Sequence, residues 1–125
     1  MSSEELRDPA IRIVLLPKDT NANGTIFGGI ILSHIDLAGA VQAKKHTKER
    51  IVTVAMKEVI FKQPVLVGEV VSFYTSTVKV GNTSVTVSVD VEVFRDGEDV
   101  RVTEAELTFV AVDKAGHPTA LKAAN

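Results

Sequence analysis

One nearly continuous apolar segment in the first third of the chain restricts how the chain can fold. From Ile26 to Val41, the only side chains with strong polar character are Ser33, His34 and Asp36. A helix that is apolar around most of its circumference is a buried helix. Asp36 would then lie inside the core, where an ionised carboxylate costs several kcal/mol unless it is paired or hydrogen-bonded. We therefore expect Asp36 to have a functional role.

The rest of the chain has the pattern of β-strands. Residues 84–93 alternate strictly between valine and polar side chains, which is the clearest strand signal in the sequence. In the last run the apolar positions shift from even to odd numbers, and a β-bulge near Thr103 or Glu104 would absorb this shift. The predicted strands, in chain order, are 11–16, 51–61, 70–80, 84–93 and 100–112.

These elements predict an α+β fold in which a single helix is covered by an antiparallel sheet. A helix of roughly 17 residues is about 25 Å long, and it is enclosed only if the sheet curls around it. The length of 125 residues suits one domain over residues 1–125, with irregular tails at 1–10 and 114–125. Long strands leave unpaired edges, and the same edge of a second copy would cover them, so we expect a homodimer.

Composition and motifs exclude several function classes. The formal net charge is −2 and there is no basic run, which argues against nucleic acid as a partner. Without cysteine the chain has neither disulfides nor thiol catalysis. The first residues lack a signal-peptide pattern and the helix is too short to span a bilayer, so we expect no membrane partner and a cytoplasmic location. The histidine spacing supports no metal site, and no Gly-x-Ser-x-Gly motif is present.

The start of the helix is a candidate binding site. Gly28 and Gly29 lie where the helix should begin, so unpaired backbone N–H groups can approach a ligand atom without an intervening Cβ. Such donors can stabilise a developing oxyanion. Close helix–sheet packing would also explain the glycine pair. Likewise, Asp36 can be a core acid that is satisfied by Ser33 one turn earlier or by a backbone group across the dimer.

A family pattern extends over nearly the whole chain. It comprises the asparagine-containing loop, the Gly-Gly pair and the helical aspartate within residues 17–40, together with segments 51–55, 64–70 and 108–113. This pattern resembles the hotdog-fold acyl-CoA thioesterases of the small bacterial type, and it is similar to the domains of the brain-type acyl-CoA hydrolases. The resemblance implies one long buried helix wrapped by a curved antiparallel sheet of about five strands. It also implies a homodimer, commonly assembled into a trimer of dimers, that hydrolyses acyl-CoA to free acid and CoA without a separate cofactor.

The resemblance also assigns roles to residues. It makes Asp36 the catalytic aspartate, Asn21 its partner, and the Gly28-Gly29 turn the amide that polarises the thioester carbonyl. Thioester hydrolysis needs such a polarised carbonyl and either an activated water or a carboxylate nucleophile. Gly29 and Asp36 are seven residues apart, about 10.5 Å along a helix, whereas both must lie within roughly 3–3.5 Å of the reacting atoms. We therefore expect each site to combine the glycine turn of one subunit with Asp36 of the other.

Other assignments rest on weaker signals. Asn21 can instead form an Asx-turn, and Asn23 is a rival for its role. The turn at Asn82, Thr83 and Ser84 offers donors for CoA, and the pantetheine arm would lie along residues 52–56, which include Val54. Candidate phosphate partners, each more often a solvated surface charge, are Lys57, Lys62, Arg95 and Lys114.

Two other functions could use the same fold. A non-catalytic acyl-CoA-binding or sensing module would bind the thioester without releasing thiol. A hydratase would need a catalytic histidine, but His34 is displaced from the required position, and it lies on a different helix face from Asp36.

Overall fold

The computed structural model describes residues 7–122, which form one long helix and a five-stranded sheet. Helix α1 spans Gly28–Ala43, and the strands are β1 (Ile11–Val14), β2 (Arg50–Phe61), β3 (Val70–Val80), β4 (Ser84–Arg95) and β5 (Glu98–Val112). Short 3-10 helices at Pro17–Asp19 and Lys44–His46 flank α1. The predicted α+β order is confirmed. Of the predicted tails, residues 1–6 and 123–125 lie outside the described part of the chain.

The sheet is antiparallel throughout, with the strand order β1-β3-β4-β5-β2. The valines that alternate along β4 are buried, and all but Val91 lie opposite apolar residues of β5, such as Leu107 and Phe109. The other face of β4 carries the polar residues of the alternation. Because side chains alternate across a strand, this pattern fixes which face of the sheet receives the helix.

Helix α1 packs on that apolar face through five buried residues, Ile31, Ile35, Ala38, Gly39 and Ala43. Gly39 is at the closest approach, because a Cβ there would lie 3.1 Å from the Phe109 ring and 3.3 Å from Val87 Cγ2. These distances are shorter than ordinary van der Waals contacts, so the absence of a side chain at Gly39 lets the helix lie close to the sheet.

The sheet packs against one side of α1, and the opposite side of the helix is partly exposed in the single chain. Leu37 is 58% exposed and Val41 is 48% exposed, on the side of α1 that faces away from the sheet. The five strands form one layer, so they cover one side of a helix that is apolar on both sides. Asp36 is therefore half-buried rather than deep in the core.

The predicted β-bulge is present, but it lies one residue before the predicted position. Val91 pairs with Thr103 and Glu92 pairs with Arg101, so the extra residue is Val102. The bulge leaves both Val102 and Thr103 buried. As a result, Thr103 lies on the core face, in line with Ala105 and Leu107.

The two edges of the sheet differ in length. β1 has four residues, whereas β2 has twelve and carries exposed apolar side chains that include Val52, Val54 and Ile60. A long apolar edge is a surface that proteins usually cover. Within residues 7–122, no helix has the length and hydropathy needed to cross a membrane.

Candidate active site

The glycine pair is the first turn of α1, as predicted. Phe27 precedes it with an extended backbone, and no side chain caps the helix start. The N–H groups of Gly28 and Gly29 have no acceptor among residues 7–122. A Cβ at Gly28 would meet the Phe61 ring at 3.5 Å, an ordinary contact. The helix therefore begins with free backbone donors at its positive end, which suits a ligand oxygen that gains negative charge.

A cavity of about 310 Å³ opens beside Gly28, between the helix start and the segment after β2. Its walls are mostly apolar, with Thr103 as a buried polar group. The lining residues are Ile26, Gly28, Ile31, Phe61, Lys62, Gln63, Pro64, Val65 and Thr103.

Asp36 lies two turns further along α1 and is held by a residue of β2. The Thr53 hydroxyl donates to Asp36 Oδ1 at 2.7 Å. The alternative of a Ser33 partner is wrong, because the Ser33 hydroxyl donates to the Ile30 carbonyl instead. No local pattern in the sequence identifies Thr53 as the partner of Asp36, although Thr53 is the only polar residue between Ile51 and Met56. The carboxylate is thus oriented, and it has water access on its half-exposed side.

Asn21 organises the loop that leads to the glycine turn. Its Oδ1 accepts the backbone N–H of Asn23 at 2.8 Å and that of Thr25 at 3.3 Å, and its Nδ2 donates to the Thr25 hydroxyl at 3.0 Å. These contacts form the Asx-turn that was the alternative reading. No hydrogen bond joins Asn21 to Asp36 within the described chain. Asn23 is exposed.

The two halves of the candidate site remain apart within one chain. Because α1 is continuous from Gly28 to Ala43, Gly29 and Asp36 are separated by about 10.5 Å along its axis. One carbonyl cannot contact both at bonding distance. The glycine turn and Asp36 of a single chain therefore cannot belong to the same catalytic site.

His34 is occupied elsewhere. Its Nδ1 lies 2.9 Å from the Ile30 carbonyl, which can only accept, so Nδ1 carries a proton. The ring stacks on Phe73 with centroids 5.8 Å apart. In residues 7–122 no group of three or more histidine, aspartate or glutamate side chains is placed to hold a metal ion.

Three of the four candidate phosphate partners form ion pairs. Lys57 lies 3.7 Å from Glu106, and Lys62 lies 3.3 Å from Glu104. Arg95 binds Glu69 through two hydrogen bonds of 2.7 and 2.6 Å.

Arg95 has a structural role at the cavity wall. Besides Glu69, it donates to Gln63 Oε1 at 3.1 Å and to the Pro64 carbonyl at 3.0 Å. The Arg95 guanidinium holds the pKa of Glu69 below its ordinary value of 4.5, and the Leu66 N–H adds to this effect. The pair fastens the β2–β3 connection, which forms one side of the cavity, to the end of β4.

The other CoA candidates lie at different positions on the sheet. Val54 is the extra residue of a bulge in β2, directly after Thr53. The turn at Asn82, Thr83 and Ser84 joins β3 to β4. The Thr83 carbonyl accepts the N–H of Ala111 near the end of β5, and the Asn82 carbonyl accepts the N–H of Leu121 in the segment after β5. This turn lies at the end of the sheet near the C-terminus of α1, because Gln42 bonds Thr77 of β3. It is therefore at the opposite end of the helix from the glycine turn.

Comparison with known proteins agrees with this geometry. The family model described as the thioesterase superfamily matches residues 23–102, a range that includes the glycine turn, α1 and the first three long strands. The chain belongs to the thioesterase superfamily.

Several similar proteins within this superfamily are named as acyl-CoA thioesterases. The chain is 42% identical over 119 residues to a protein of Escherichia coli named acyl-CoA thioester hydrolase YciA, with 91% of this chain and 90% of that protein covered. It is similar, with a TM-score of 0.87 and 43% identity, to a hexameric hotdog fold thioesterase of Campylobacter jejuni; 94% of this chain and 92% of that chain are covered. It is also similar to HI0827, a hexameric broad specificity acyl-coenzyme A thioesterase solved as an aspartate-to-alanine mutant. That match has a TM-score of 0.87 and 41% identity, and it covers 92% of this chain and 86% of that chain. The predicted hotdog fold is confirmed.

Proposed function

We propose that this protein is an acyl-CoA thioesterase, which hydrolyses acyl-CoA to a free carboxylic acid and CoA. The observation that carries the proposal is a hotdog helix that begins with free N–H donors and bears a carboxylate held by Thr53. The relative named acyl-CoA thioester hydrolase supports the choice of substrate. CoA is part of the substrate and the product, and we propose no separate cofactor. The cytoplasmic location stays a prediction from the sequence.

Each group has one role in the proposed reaction. The amide at Gly28 or Gly29 donates to the thioester carbonyl oxygen and stabilises the oxyanion that forms on attack. Asp36 acts either as a general base on water or as the nucleophile. Asn21 is the positioning residue, since its side chain shapes the loop that ends at the glycine turn. The sulfur leaves as the thiol of CoA.

We further propose that each site is shared between two copies of the chain. The glycine turn and Asp36 of one chain are too far apart for one carbonyl, so a second chain must supply one of them. The open β2 edge and the exposed side of α1 with Leu37 and Val41 provide the surface for a homodimer. Related thioesterases are described as hexameric, and we propose the same homohexamer, a trimer of dimers, here.

The CoA arm would follow β2. The bulge at Val54 frees backbone groups next to Thr53, so a pantetheine amide can bond there while the thioester lies near Asp36. Lys57 lies further along β2. Its ion pair with Glu106 is loose, with 3.7 Å between Nζ and Oε1, so the Lys57 side chain can turn to a phosphate of CoA instead. The turn at Asn82, Thr83 and Ser84 remains a candidate for the nucleotide end.

The test is release of thiol from acyl-CoA by the purified protein, with acyl groups from acetyl to palmitoyl. Wild type should release CoA, and Asp36→Asn should lower kcat by at least about a hundredfold while the oligomer stays intact. Asp96→Asn is the matched control, because Asp96 lies at the exposed β4–β5 turn with a positive φ that asparagine also adopts. Wild-type activity in Asp36→Asn would refute the assignment.

The same assay separates the rival function. A binding or sensing module would bind acyl-CoA in equilibrium dialysis but release no thiol. A single turnover in isotopically labelled water would then distinguish the two roles of Asp36, since direct attack places the label in its carboxylate.

A further inference from the structure

Thr103 is a polar residue in an otherwise apolar row. On the core face of β5 it is followed by Ala105, Leu107 and Phe109, and across the sheet it pairs with Val91. It is 1% exposed, and its Oγ1 has no hydrogen-bond partner among residues 7–122. A buried hydroxyl without a partner destabilises the fold, whereas valine would fill the same space without that cost.

Thr103 is one of the residues that line the cavity beside Gly28. Most of the other lining side chains are apolar, among them Ile26, Ile31, Phe61 and Val65, while Lys62 and Gln63 also line the cavity. At about 30 Å³ for each molecule of liquid water, the cavity has the room of about ten waters. A short acyl chain fits this volume. An apolar chain that filled it would leave the Thr103 hydroxyl unpaired.

The cavity is formed by fixed elements. The Val102 carbonyl accepts the N–H groups of Lys62 and Gln63, at 2.8 and 3.3 Å. These bonds connect the bulge of β5 to the segment after β2, and Arg95 fixes Pro64 from the other side. Thr103 is therefore held in place against the cavity in the absence of any ligand.

We propose that Thr103 is a specificity-determining residue which binds a hydroxyl or oxo group on the acyl chain of the substrate. The preferred substrates are then short acyl-CoA thioesters with an oxygen substituent on the acyl group. This proposal rests on the proposed thioesterase function, because the Gly28 amide at the rim of the cavity would hold the thioester carbonyl. From that point the acyl chain extends into the cavity towards Thr103.

The chemistry of the hydroxyl fits this substrate class. A threonine hydroxyl has one donor and two acceptor positions, so it can bond either a hydroxyl or an oxo oxygen. A site that hydrogen-bonds a substrate group rejects the analogue without that group, because the buried partner is left unpaired. Preference for the oxygenated substrate follows from the penalty that the plain acyl chain incurs.

The experiment compares kcat/KM for butanoyl-CoA, 3-hydroxybutanoyl-CoA and 4-hydroxybutanoyl-CoA. Wild type should prefer at least one hydroxyacyl substrate by roughly tenfold or more. Thr103→Val should abolish that preference, mainly by raising kcat/KM for butanoyl-CoA, and should raise the midpoint of thermal unfolding. Thr103→Ser keeps the hydroxyl and should keep the preference.

Thr108→Val is the matched control. It removes a hydroxyl from the same strand, but on the opposite face, where Thr108 bonds Thr86 at 3.1 Å. This variant should leave the substrate preference unchanged. The proposal would be overturned if the ratio of kcat/KM for hydroxyacyl and plain acyl substrates were the same in wild type and Thr103→Val. It would also be overturned if the cavity retained a water and accepted the plain and the hydroxylated acyl chain equally. Hydrolysis of all three substrates without discrimination, or of none of them while a longer acyl-CoA is hydrolysed, would refute the role of Thr103 alone. Release of thiol from no acyl-CoA between acetyl and palmitoyl would refute the thioesterase function as well.

Discussion

The hydrogen bond between Thr53 and Asp36 gives the sharpest test of how the carboxylate is oriented. Thr53→Val removes the hydroxyl that donates to Asp36 Oδ1 at 2.7 Å and keeps nearly the same shape. A hydrogen bond to a charged group contributes about 1.5–3 kcal/mol. Because Asp36 is half-buried and water can replace part of the bond, the lower end of that range applies. A loss of about 1.5 kcal/mol corresponds to a fall in kcat/KM of slightly more than tenfold.

The assay is steady-state hydrolysis of one acyl-CoA by Thr53→Val, Thr53→Ser and wild type. Thr53→Ser keeps the donor and should stay within about threefold of wild type, because only a methyl group is lost. In an Asp36→Asn background, Thr53→Val should cause little further loss, since the two residues act through one bond. Equal activity in Thr53→Val and wild type would refute the reasoning, as would equal losses in the valine and serine variants.

Three further predictions concern the helix start, the cavity wall and the helix–sheet contact. Gly28→Pro should lower kcat by about a hundredfold, because it removes an oxyanion donor while proline suits the first helical position. Gly28→Ala keeps the N–H and should retain most activity. Wild-type activity in the proline variant would exclude the Gly28 amide as the oxyanion donor. The Arg95 guanidinium lowers the pKa of Glu69. The pair therefore stabilises the fold fully at pH values above 4.5, the ordinary pKa of glutamate, and this stabilisation is lost as the pH falls through the lowered pKa of Glu69. Glu69→Gln should therefore unfold more easily than wild type at pH 7 but not in strong acid, and parallel pH–stability curves would contradict this. Gly39→Val should destabilise the protein by about 1–3 kcal/mol in urea unfolding, since its side chain would overlap the Phe109 ring; an unchanged midpoint would contradict the close packing.

The fold was largely predictable from local patterns. The alternation in 84–93 and the apolar run at 26–41 correspond to β4 and α1, whose residues bury the faces that the patterns indicated. The exact position of the bulge in β5 was not predictable. A shift of the apolar residues from even to odd positions is consistent with an extra residue at any of several neighbouring positions. Only the pairing of Val91 with Thr103 places it at Val102.

The candidate site was predictable only where its residues are near in sequence. Gly28 and Gly29 are recognisable at a helix start, but the contact of Thr53 with Asp36 depends on how β2 lies against α1, which no local pattern specifies. The partner of Arg95 was missed for the same reason, since Glu69 is 26 residues away. The sequence does contain a threonine at an alternate position to Ala105 and Leu107. Whether Thr103 shares their face of the sheet depends on the position of the bulge, which the sequence does not specify.

The measurement that tests the account most directly is complementation between two inactive variants. Asp36→Ala and Gly28→Pro would be co-expressed with different tags, and oligomers that contain both chains would be purified. If Asp36 of one chain serves the glycine turn of its partner, each mixed dimer has one intact site, and random mixing should restore about a quarter of wild-type activity. Mixed oligomers that remain as inactive as either parent would contradict the shared site.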